Sequence, residues 1–107
     1  MELPKYTTTD NITIVMEKIS VIRQEETASA WQFNVTVSND SHTQHKVTLA
    51  KPYWQKLTKK QVTPENLVKK SFEFLLVREP KESILNSFDL SLIAAYFPEY
   101  ETEIKKQ

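Results

Sequence analysis

Glycine and cysteine are both missing from this chain of 107 residues. At ordinary usage of about 7%, glycine alone would take roughly seven positions. Its absence excludes phosphate-cradling loops, dinucleotide fingerprints and nucleophile elbows. Each of these needs a residue that tolerates positive φ or lets a ligand touch the backbone. Without cysteine there are no disulfides, thiol nucleophiles or thiolate metal sites. Charge of one sign is missing as well: fourteen basic and fourteen acidic side chains leave a formal net charge of zero. A dedicated polyanion binder normally shows a basic surplus, and a neutral chain has little repulsion to oppose self-association. No apolar run approaches the ~20 residues of a membrane-spanning helix. The opening Met1-Glu2-Leu3-Pro4-Lys5 carries no apolar leader, so a cytoplasmic protein is expected.

What remains is an ordinary globular balance, 39% hydrophobic and 26% charged, in a length that suits one domain. Residues 1–11 read as a loose polar arm, 12–49 as a sheet and 51–106 as a helical part. Ile12–Arg23 is rich in β-branched residues and reads as a strand. Its apolar phase slips between Ile12, Ile14, Met16 and Ile19, Val21, which predicts a β-bulge near Glu17–Lys18. Residues 24–29 form a polar connection. Trp31, Phe33, Val35 and Val37 then alternate with Gln32, Asn34, Thr36 and Ser38, the pattern of a strand with one buried and one wet face. Asn39-Asp40-Ser41 is a turn in which Asn and Asp stand in for glycine in the left-handed region. Thr43–Leu49 reads as the next strand, with Val47 and Leu49 inward. Sequential strands on short polar loops predict a three-stranded antiparallel meander.

After Leu49 the period changes. Pro52 opens about two helical turns over Tyr53–Leu57. Thr63 caps a longer helix with Pro64 first and Glu65 in its first turn. Leu67, Val68, Ser71, Phe72, Leu75 and Leu76 form its apolar stripe, and Glu79-Pro80 stops it. Ile84, Leu85 and Phe88 mark a short turn-like element. Asp89 caps a helix over Leu90–Phe97, and Pro98 opens a last one carrying Tyr100 and Ile104. Strands first and helices after make the class α+β, with three to four C-terminal helices packed on one face of the sheet.

The order Val47-Thr48-Leu49, Pro64-Glu65, Ser71-Phe72-Glu73-Phe74-Leu75-Leu76, Arg78-Glu79-Pro80, Ser83-Ile84-Leu85, Phe88-Asp89-Leu90, Tyr96-Phe97-Pro98-Glu99-Tyr100 resembles small uncharacterised bacterial proteins built around the same C-terminal block. The resemblance covers about half of the chain, His45–Tyr100. It implies a bacterial, cytoplasmic protein with no assigned activity, cofactor or catalytic residue.

Candidate chemistry is sparse. His42 and His45 are the only histidines, and three residues apart on a strand they face opposite sides. In a turn they could converge with Asp40 as a third ligand, but zinc needs three or four ligands, and the favoured reading is two polar strand-edge residues without a metal. Ser71 reads as a small core residue bonding its own backbone. Glu99, Glu101 and Glu103 are spaced by two, do not converge on one helix face, and read as a wet acidic end. Arg78 reads as a lock on the helical half, paired with Asp89 or a C-terminal Glu.

The charge distribution says more. Residues 46–70 hold seven basic side chains (Lys46, Lys51, Lys56, Lys59, Lys60, Lys69, Lys70) against Glu65, a net +6. Residues 73–103 hold seven acidic ones against Arg78 and Lys81, a net −5. Lys51, Tyr53, Trp54, Lys56, Lys59 and Lys60 are therefore the candidate interaction surface. Basic side chains flanking aromatics can grip phosphates and stack bases, whereas Lys stems can equally cover a tucked-in Trp54. The function expected is a non-catalytic protein-interaction module or homo-oligomer, most simply a homodimer. A nucleic-acid-associated protein using the 46–70 segment is the alternative. No enzyme, cofactor or metal is expected.

Overall fold

The structure, a computed structural model, describes residues 17–106. The proposed arm at 1–11, and the part of the first strand at 12–16, lie outside the described residues. Three strands, β1 (Lys18–Glu26), β2 (Ala30–Ser38) and β3 (His42–Ala50), form the expected antiparallel meander. Two helices follow, α1 (Lys51–Thr58) and α2 (Pro64–Arg78). The chain then makes a 3-10 turn at Lys81–Ser83 and a fourth strand, β4 (Ser87–Asp89), before α3 (Leu92–Tyr96) and α4 (Tyr100–Lys105). β4 lies parallel to β3, with Val47 opposite Phe88, so the sheet order is β1-β2-β3-β4. The α+β class stands, but among the described residues the sheet has four strands. A strand of three residues shows too little alternation to be read from a sequence.

The alternation in β2 decides which way the sheet faces. Trp31, Phe33, Val35 and Val37 are buried, joined by Val47 and Leu49 of β3, and α2 brings Leu67, Val68, Phe72 and Leu75 to the same core. Phe74, which lies off the expected stripe, is buried too; its ring meets those of Phe97 (5.9 Å) and Tyr100 (5.2 Å). The other sheet face carries Gln32, Asn34, Thr36 and Ser38 beside Lys18, Ser20, Gln44 and Lys46. Among the described residues of β1, Ile22 is the one large apolar side chain on that face, 55% exposed. β1 carries a bulge between Arg23 and Glu25, which places Glu26 opposite Trp31. β1 thus runs on through the first half of the expected polar connection. The phase slip that predicted a bulge near Glu17–Lys18 involves residues 12–16 and so lies outside the described residues.

Local chemistry explains the boundaries. Thr63 caps α2, its hydroxyl accepting from the Asn66 N–H at 3.1 Å, with Pro64 first and Glu65 in the first turn. The helix Leu90–Phe97 is shorter than expected. Leu90 still donates to Thr48 of the sheet, and the Asp89 carboxylate accepts from the Ser91 N–H (3.0 Å) and hydroxyl (2.8 Å), a turn closed before α3 starts. Tyr100 and Ile104 are buried in α4, as expected. In the turn after β2, Asn39 accepts from the Ser41 N–H at 3.2 Å, yet positive φ occurs elsewhere. Lys59 (φ 52°) and Lys60 (φ 64°) are consecutive left-handed residues ending α1. That conformation costs a side-chain-bearing residue roughly 1–2 kcal/mol. No helix among the described residues is long and apolar enough to cross a membrane.

Candidate functional site

The six residues of the basic candidate surface end up in different roles. Lys51 donates to Glu26 at 2.6 Å, and its ammonium lies 5.3 Å from the centre of the Trp31 ring, as does the Arg23 guanidinium. The Lys51 hydrogen bond, backed by the Lys51 and Arg23 charges, holds Glu26 below the usual carboxylate range. The buried Trp31 indole N–H faces this carboxylate without a properly formed hydrogen bond. Trp54 meets Trp31 edge-on, centres 5.3 Å apart, and donates its indole N–H to the Val62 carbonyl at 2.7 Å. Tyr53 donates to one oxygen of Glu101 at 2.8 Å while Lys56 lies 3.4 Å from the other. Burial, then the Glu101 hydrogen bond, pushes the Tyr53 hydroxyl up; the same bond leads in lowering Glu101. Lys59 and Lys60 are exposed in the α1–α2 loop. Four of the six are therefore committed to holding α1 against the sheet and α4.

The acidic end is similarly engaged. Glu99 accepts from Arg78 at 3.2 Å, and the same guanidinium donates to the Phe74 carbonyl and lies 3.6 Å from the centre of its ring. Arg78 takes the C-terminal partner, and Glu99 and Glu101 are ties between elements rather than a wet end. The histidines separate as the strand period requires, but only His42 is a surface residue. His45, 1% exposed, is a core residue and not a strand-edge one. Its Nδ1 donates to the Leu85 carbonyl at 2.7 Å, its Nε2 pairs with the Thr43 hydroxyl at 2.8 Å, and its ring lies 5.3 Å from that of Phe72. Because a carbonyl only accepts, Nδ1 carries the hydrogen. Ser71 donates to the Leu67 carbonyl at 2.7 Å and accepts from Tyr100 at 2.6 Å, a closed buried chain with no reactive hydroxyl to spare. Lys81, 5% exposed, reaches Asn39 (2.9 Å), Glu82 (3.3 Å) and Glu17 (3.4 Å), a buried cation matched by oxygens. Among the described residues no group of three acidic or histidine side chains is placed to hold a metal.

The open feature lies elsewhere. The end of α2, the segment after the 3-10 turn, β4 and α3 enclose an apolar groove of about 400 Å³. Buried Leu75, Ile84 and Ile93 form its floor, and half-buried Phe88, Leu92 and Phe97 its walls. Leu85 and Tyr96 stand on the rim, 47% and 65% exposed. Glu79 and Ser83 are its polar lining. His45 anchors the Leu85 wall from beneath through the carbonyl hydrogen bond. None of these residues stood out as a site in the sequence. The available signal was crowding: Ile84-Leu85 and Tyr96-Phe97 put adjacent large apolar residues in elements too short to bury both. Comparison of the chain with family models, curated proteins and solved structures finds no match.

Proposed function

We propose that this protein is a non-catalytic interaction module that holds a partner protein in the groove between α2, β4 and α3. One observation carries this: an apolar groove of about 400 Å³ with Leu85 and Tyr96 left on its rim in water. Contiguous apolar surface of this kind marks interaction sites, and aromatic anchors dominate their energetics. The proposed setting is cytoplasmic and bacterial, as the resemblance over His45–Tyr100 implies. The test is quantitative co-purification of the tagged protein from its native cell, compared with Leu85→Asp and Tyr96→Asp. Both side chains are exposed, so the variants keep the fold. A partner retained by the parent and lost with both variants supports the groove; one retained by all three places the contact elsewhere.

Self-association through β1 is a second reading, favoured by a separate observation. Among the described residues β1 is an outer strand of nine residues, with Ile22 half in water and no strand paired to its free edge. Such edges invite pairing with another strand. A homodimer of this kind predicts a mass that doubles with concentration in sedimentation equilibrium and stays monomeric in Ile22→Lys. Nucleic-acid binding by the 46–70 segment is less favoured, because Lys51, Tyr53, Trp54 and Lys56 already have partners within the fold.

A further inference from the structure

Glu79 stands where a carboxylate is locally unfavourable. It is the residue that ends α2, its N–H donating to the Leu75 carbonyl. The helix dipole there favours a cation. No cation among the described residues lies within ion-pair distance of its half-buried side chain. The neighbouring Arg78 is turned to Glu99 and the Phe74 ring, and Lys81 is matched by Glu17, Asn39 and Glu82. The groove therefore combines an apolar floor with one uncompensated negative charge in its lining. The surrounding stretch adds to the field: residues 73–103 are net −5, and both of their basic groups are already paired.

From this charge complementarity we infer that the groove takes a peptide segment with bulky apolar residues next to a Lys or Arg, whose cation pairs with Glu79. This rests on the groove being the docking site and adds the chemistry of its occupant. The apolar side chains displace water from Leu75, Ile84 and Ile93, which supplies affinity. The cation answers Glu79 and screens out acidic segments, which supplies selectivity. A purely apolar segment would bury the Glu79 carboxylate against hydrocarbon with no partner, a costly arrangement.

The test is selection of a random peptide library displayed on phage against the full chain, with Leu85→Asp as the counter-target and Glu79→Lys as a second bait. Replacing Glu79 by Lys places a favourable charge at the helix end, so this bait folds, as circular dichroism would verify. The expected winners depend on Leu85 and pair bulky apolar residues with an adjacent Lys or Arg about two- to fivefold above library frequency, the range of a partly exposed ion pair. Selection on Glu79→Lys should shift the enrichment to Asp or Glu. Winners that need Leu85 but show no basic preference, or the same preference on both baits, overturn the cation pairing and leave the groove standing. Winners indifferent to Leu85, or none at all, overturn the groove as well.

Discussion

Two surfaces of this molecule invite comparison: the basic segment around α1 and the apolar groove beside β4. The first stands out in the sequence, with a net +6 over residues 46–70. In the fold much of it is used internally, Lys51 on Glu26, Tyr53 and Lys56 on Glu101, Trp54 on Trp31 and Val62. The second carries hardly any charge and stays open. The difference teaches that a charge count along a chain measures what a surface could offer before folding assigns partners. Apolar residues in short elements measure what folding cannot finish burying. Leu85 and Tyr96 belong to that remainder.

The comparison can be broken first at the core both surfaces share. The Phe72 ring is fully buried and touches His45 (5.3 Å) and Phe88 (6.1 Å) under the groove. Phe72→Ala should cost about 3–5 kcal/mol in a urea titration; a cost under ~1 kcal/mol would detach the groove floor from the main core. Next comes the histidine pair. His45→Phe removes the donor to the Leu85 carbonyl and should cost about 1–3 kcal/mol, and weaken partner binding with it. His42→Gln should stay within ~0.5 kcal/mol. Equal effects would mean that His45 does not hold the groove wall.

On the α1 side the expected effects are smaller. Lys59→Gly relieves a left-handed residue (φ 52°) and should stabilise by about 0.5–1 kcal/mol in thermal unfolding. No change would mean that the loop carries no such cost. Lys56→Ala breaks an exposed pair with Glu101 and should cost below ~0.5 kcal/mol, leaving partner binding untouched. The pH profile sharpens the same point. Glu101, Glu99 and Glu26 are all held below the ordinary carboxylate value of 4.5. Their contribution is therefore present above that value and lost as pH falls through their lowered values. Tyr53→Phe removes the leading cause for Glu101 and should flatten this acid limb. At the alkaline end burial raises Tyr53 and Tyr100 above 10, so their contribution is full below the ordinary tyrosine value and lost as pH rises past it.

Strong periodicity and cap chemistry made much of the fold legible. β2 alternates cleanly, Thr63-Pro64-Glu65 opens α2, and Pro98 precedes a helix that buries Tyr100 and Ile104. The turn at Asn39 was readable from its residue types, though the left-handed residues proved to be Lys59 and Lys60, whose chemistry gives no hint of it. β4 was hidden because three residues carry a single inward side chain, Phe88. The groove was hidden for a related reason. Its lining comes from four separate stretches, and only the parallel pairing of β4 on β3 brings them together. His45 reads as a polar strand residue until its carbonyl partner, 40 positions away, is known.

The central claim is that the groove, and not the basic segment, is where a partner sits. Hydrogen–deuterium exchange of the protein with and without its co-purified partner tests this most directly. Protection should concentrate at residues 83–88 and 92–97, with 51–60 unchanged. Protection confined to 51–60, or to β1, would contradict it.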